Sequence, residues 1–153
     1  MGSYLKIGHI EINSKSYCGI IIDCLRAVDT GLKNGGYHLK NSENLTIPEY
    51  YETDEDGDKF GCGNWKLHRK AVALVVNYLK LLINDEDYLK SLIQEKYAYS
   101  IEKTCKTEDD VASYIESEMP QARDTIQRCF DHMYSVWFYM TLHGKKWIKL
   151  KWI

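Results

Sequence analysis

The closing stretch Lys146-Trp147-Ile148-Lys149-Leu150-Lys151-Trp152-Ile153 alternates apolar and basic residues. Ile148, Leu150 and Trp152 fall on one side, and Trp147, Lys149 and Lys151 on the other, the period-two pattern of a half-buried strand. A lone strand leaves its backbone N–H and C=O groups without partners, so it must pair. The opening stretch Tyr4-Leu5-Lys6-Ile7-Gly8-His9-Ile10-Glu11-Ile12 has matching strand composition. There Leu5 and Ile7 point one way and Ile10 and Ile12 the other, so Gly8 is read as a bulge that restores the register. Pairing the two ends gives a small sheet with helices on one side, an α+β fold of about five helices.

Between the ends the period changes to that of a helix. Tyr17, Ile21, Cys24, Leu25, Val28 and Leu32 form one apolar stripe from Ser16 onward, opposite Asp23, Arg26, Asp29 and Lys33. Asn34-Gly35-Gly36 is a left-handed stop. A central helix is predicted over Trp65 to Ile83, capped by Asn64, with Lys66, Arg69, Lys70, Asn77 and Lys80 on its wet stripe. Another helix is predicted from Asp85 to about Lys103. Thr107 and Asp110 form a capping box for a short helix to about Glu118. Pro120, suited to a first helical turn, is predicted to start a long helix that runs to Leu142 and stops at Gly144.

Residues 37–63 are the irregular or hairpin segment, with β-prone pieces at Tyr37 to Lys40, Leu45 to Ile47 and Tyr50 to Thr53 and a turn at Asp54-Glu55-Asp56-Gly57-Asp58. Pro48 restricts a strand there to an edge.

The totals frame these readings. A chain of 153 residues, 44% hydrophobic and 27% charged, fits one globular domain over 1–153. It can bury roughly 70% of its unfolded surface without staples. The longest apolar run, Ala71 to Val76, is far short of the ~20 residues that span a bilayer, so no membrane association is expected. No secretory leader is read at the N-terminus, and the five irregularly spaced cysteines, Cys18, Cys24, Cys62, Cys105 and Cys129, are expected to be reduced thiols of a cytoplasmic protein. With 20 basic against 22 acidic residues the chain has no blanket attraction to nucleic acid, and direct nucleic-acid binding is not expected. The charge is nonetheless segregated: acidic residues crowd 49–58, 85–87 and 108–110, and lysines crowd the C-terminus, where their interleaving with Trp147 and Trp152 suggests stacking and phosphate contacts but is explained more simply by a strand with one wet face.

The chemical motifs are incomplete. Gly61-Cys62-Gly63-Asn64-Trp65-Lys66 has the look of a glycine loop entering a helix, where backbone N–H groups hold anions, but it lacks both the third glycine of a dinucleotide fingerprint and the Gly-Lys-Ser/Thr of a P-loop. A thiol at Cys62, just ahead of a helix, would have a lowered pKa, and a small cysteine/histidine-dependent enzyme using Cys62 is the alternative reading. Cys62-Gly63-Asn64-Trp65 is similar to the active-site stretch of papain-like proteases, yet Asn64 stands where that family carries its reactive cysteine, so no mechanism transfers. Cys62, His68, Cys129 and His132 would make a four-ligand zinc set only if the fold gathered them. Counted from Asp54, an EF-hand would need glycine at Lys59 and glutamate at Trp65. Neither a metal nor a cofactor is expected.

What remains is a non-enzymatic binding or inhibitory module. Its contact surface is read as acidic and aromatic, built from Tyr50, Tyr51, Glu52, Asp54, Glu55, Asp56 and Asp58, facing a protein partner with a basic surface. Small, motif-poor inhibitors of host defence or nucleic-acid-processing enzymes, such as the anti-CRISPR proteins that phages encode, share this profile by analogy. Self-association into a homo-oligomer is left open.

Overall fold

The protein is described by a computed structural model covering residues 4–33, 51–52 and 63–153. The elements in chain order are β1 (Leu5–Ile7), β2 (Ile10–Ile12), α1 (Lys15–Lys33), β3 (Tyr51–Glu52), β4 (Gly63–His68), α2 (Arg69–Leu82), α3 (Glu86–Lys96), α4 (Ala98–Thr104), α5 (Glu108–Leu142) and β5 (Trp147–Trp152). Among the described residues these five helices accompany a five-stranded antiparallel sheet of order β2-β1-β5-β4-β3, which makes the fold α+β.

The two chain ends pair as their composition requires. Leu5, Lys6 and Ile7 stand opposite Trp152, Lys151 and Leu150. Reciprocal backbone bonds between Tyr4 and Ile153, at 3.2 and 3.0 Å, close that edge. Strand β5 is central, because its other side pairs along its whole length with β4.

Four details differ from the expectations. First, residues 4–12 form a hairpin and not one bulged strand. Ile7 faces Ile10 and Leu5 faces Ile12 across a Gly8-His9 turn. Directly paired residues share a face, so the two-residue turn absorbs the change of parity. Gly8 supplies the φ of +59° that the turn needs, and a Cβ there would lie 2.5 Å from Ile148 Cδ1.

Second, residues 65–68 belong to β4, and the central helix begins at Arg69. The cap is His68, whose Nδ1 accepts from the Lys70 N–H at 3.1 Å, not Asn64. Trp65 and Leu67 alternate with exposed Asn64 and Lys66, and the six-residue ladder to β5 supplies backbone partners that a free helix end would lack. Cys62 lies outside the described residues, and the helix it was expected to precede starts only after this strand.

Third, the stretch from Asp85 to Lys103 is two helices. Asp85 caps α3 by accepting from the Tyr88 N–H at 3.1 Å, and the chain leaves helical geometry at Tyr97, whose ring meets that of Tyr114 edge-on.

Fourth, α5 runs unbroken through Pro120. The Thr107–Asp110 capping box opens it as expected. Pro120 cannot donate to the Glu116 carbonyl, but Ile115 and Met119 before it and Ile126 and Cys129 after it are all buried in one core. Continuous burial outweighs one missing bond. At the far end Gly144 adopts φ +61°, Lys145 N–H bonds to the Met140 carbonyl at 2.8 Å and Gly144 N–H to that of Thr141 at 3.3 Å, a Schellman stop.

Helices α1, α2 and α5 pack on one face of the sheet. Ile21, Leu25, Leu79, Met133 and Met140 from the helices close over Leu5, Ile7, Leu67 and Leu150 from the strands. Truncating such a side chain to alanine costs about 2–5 kcal/mol. Among the described residues no helix packs on the opposite sheet face.

Candidate functional site

The alternation that buries one side of each strand projects the other side into solvent, and here that side is basic. Lys6 on β1, Lys66 on β4, and Lys149 and Lys151 on β5 are all exposed. The register sets them in two cross-strand rows: Lys6 opposite Lys151, and Lys66 opposite Lys149. Neighbouring strands lie about 4.8 Å apart and same-face residues along a strand about 6.8 Å apart, so the four lysine backbone positions form a compact grid. Directly opposed like charges destabilise a sheet; on its other side Lys66 stands opposite Glu52 of β3.

A trough of about 1080 Å³ runs over this face, and Lys145 joins the four lysines in lining it. The carboxylate in its lining is that of Glu11, 4.0 Å from Lys6 Nζ, with both side chains about half exposed. A pair so exposed is worth little, and among the described lining residues five lysines stand beside this one carboxylate.

Aromatic rings stand at the same site. Tyr139, from the last turns of α5, lies between His9 of the hairpin turn and His143, each with ring centroids 4.5 Å away, and Lys145 Nζ is 5.8 Å from its centroid. Half-buried Trp147 meets His68 at right angles, 5.1 Å between centroids. Partial burial lowers the His68 pKa, and Lys70, Arg69 and Lys146 lower it further. The ring is thereby held neutral, as its capping bond to Lys70 N–H requires. The site can therefore receive anionic groups on the lysines and flat groups against the rings.

Of the residues expected to form an acidic contact surface, Tyr51 and Glu52 lie in β3, opposite Leu67 and Lys66. Tyr50, Asp54, Glu55, Asp56 and Asp58 lie outside the described residues. The other acidic clusters have local work to do: Asp85 and Glu86 sit at the start of α3, and Glu108 to Asp110 at that of α5, where carboxylates favour the positive helix end. Glu86 also reaches Arg123 at 3.5 Å.

Of the potential zinc set, Cys62 lies outside the described residues, and the other three do not form a metal-holding group. His68 packs on Trp147, His132 is 6.2 Å from Tyr17, and Cys129 is fully buried in the core. Among the described residues no group of three His, Cys, Asp or Glu side chains could hold a metal ion. Burial raises the thiol pKa values of Cys18, Cys24 and Cys129, the last pushed up to about 12. Buried thiols of this kind are poor nucleophiles.

Two other surface features are weaker candidates. A cleft of about 640 Å³ lies between α1, α3 and α5, with Ile20, Leu92 and Ala122 in its wall, but its rim mixes Lys15 and Lys96 with Asp23 and Glu95. Along α5, Tyr134, Phe138 and Leu142 are exposed on successive turns, with Tyr134 and Phe138 stacked at 6.4 Å.

The residues that sequence reasoning overlooked are Lys6 and Lys66. A signal for Lys66 was present in the alternation Asn64-Trp65-Lys66-Leu67-His68, which matches a strand as well as a helix stripe. No membrane-spanning helix occurs among the described residues. No protein-family model, curated protein or solved structure matches the chain.

Proposed function

We propose that the protein is a binding module that receives a polyanionic partner on its open sheet face. The observation that supports this most directly is the stacking of like charges: five lysines line one trough, two pairs of lysines opposed across adjacent strands among them. A sheet needs polar residues on its wet side but not lysines of one sign in register, and an anion laid across the rows would meet several ammonium groups at once. The reading of the acidic segment 49–58 as the contact surface rests on composition alone, and the cysteine-enzyme reading would have to do without a helix start directly after Cys62, since α2 begins at Arg69.

Inhibition of a nucleic-acid-processing enzyme is one use of such a face, by competition for the anionic substrate. A reducing, cytoplasmic setting suits the free thiols of Cys18, Cys24, Cys105 and Cys129.

Retention on an immobilised polyanion, measured as the salt concentration of elution, tests the proposal. The wild-type chain is expected to bind despite its net charge of −2, and a Lys149→Ala/Lys151→Ala variant to elute earlier with a melting temperature no lower than the wild type's. Wild-type protein that flows through at low salt, or a double variant that elutes with the wild type, overturns it.

A further inference from the structure

Resting on that reading of the sheet face, we infer that the polyanion is a single-stranded nucleic acid, its phosphates along the lysine rows and its bases against Trp147 and His9. Charge alone does not separate a nucleic acid from an acidic protein segment; the rings do. Trp147 extends the Lys149–Lys151 side of β5 by one residue pair, so an indole sits at the same ~6.8 Å repeat as the ammonium groups beside it. Its perpendicular contact with His68 occupies at most one face of the indole. His9, exposed at the hairpin tip and backed by Tyr139, stands beside the other side of the trough. An acidic peptide would use the lysines and leave these rings idle, whereas unpaired bases each have a π-face that stacks on such rings while the backbone follows the positive groove. A duplex keeps its bases stacked inside, and its backbone would meet the lysines without engaging the indole.

Binding of the full chain is measured by fluorescence anisotropy with three labelled probes: a mixed-sequence single strand of ~15 nucleotides, the duplex of the same sequence, and a glutamate-rich peptide of similar charge. The single strand is expected to bind at least about tenfold more tightly than either competitor. Trp147→Ala should weaken the single strand about 5- to 100-fold, the range for losing one base stack, and leave the peptide unchanged, while Trp147→Phe restores most of the affinity. Lys149→Ala/Lys151→Ala should reduce the slope of log affinity against log salt by ~1.4, two phosphate contacts of a single strand. Circular-dichroism melts of each variant establish that it is folded.

If the peptide binds as well as the single strand and Trp147→Phe and Trp147→Ala behave alike, the nucleic-acid inference fails and the sheet-face reading survives. A duplex that binds most tightly has the same consequence. If no probe binds at low salt, both fall together.

Discussion

Lys66 on β4 and Lys149 on β5 stand directly opposite each other on the solvent face of the sheet, both exposed, with Lys151 one pair further along and facing Lys6 on β1. Three segments far apart in the chain thus deliver their positive charges to one small area. In a fold without a partner for that area, exchange of a lysine for a carboxylate would be an improvement.

Lys149→Glu therefore separates stability from binding. Replacing the like-charged pair with an opposite one should stabilise the fold by about 0.5 kcal/mol, a rise in melting temperature of about 1–2 °C. The gain should shrink as added salt screens it. The same variant should lose retention on a polyanion. A melting temperature that falls at low salt would show that the opposed lysines carry no repulsive cost.

His68 couples the start of α2 to pH. Its folded pKa is lowered by burial and by Lys70, Arg69 and Lys146, and its Nδ1 accepts the capping bond only when neutral. A base with a depressed folded pKa contributes stability that is fully present above its unfolded value, ~6.5, and is lost as the pH falls below it. Protonation also sets a positive charge against the positive helix end. His68→Asn, which can cap without titrating, should remove that part of the acid sensitivity; denaturant melts of both proteins between about pH 5 and 8 compare them.

Pro120→Ala is expected to stabilise the protein, by about 1–3 kcal/mol, since Pro120 is exposed inside α5 and alanine restores the bond to the Glu116 carbonyl. Urea unfolding measures the change. Destabilisation would mean that the backbone geometry fixed by the Pro120 ring is required by the packing of Met119 and Ile126.

The buried thiols should be chemically silent in the native state. Alkylation followed site by site with mass spectrometry is expected to label half-buried Cys105 well before Cys18, Cys24 and Cys129, and to reach these three only at the rate at which the fold opens. Because burial raises their pKa values, as it does for Tyr88, the stability these groups contribute is complete below their unfolded values and is lost as pH rises past ~8.5 for the thiols and past ~10 for Tyr88. Rapid native labelling of Cys129 would contradict the tight packing of α5 on α1.

Local chemistry determined much of the fold. The period-two tail from Trp147 to Trp152, the Thr107–Asp110 box, the Asp85 cap and the Gly144 stop were all legible, because each is decided by residues within a few positions of one another. The tertiary structure decided the rest. Asn64 to His68 satisfies a helix stripe and a strand alternation equally, and only the hydrogen-bond ladder from β5, some eighty residues later, selects the strand. Pro120 reads as a helix start until the burial of Ile115 and Met119 shows the helix already formed before it. Of the lysine face, Lys149 and Lys151 were legible in the alternation of the tail, and their meeting with Lys6 and Lys66 was hidden for the same reason. Its charge density comes from the register of three antiparallel strands, and register is a relation between distant segments that no short stretch of residues encodes alone.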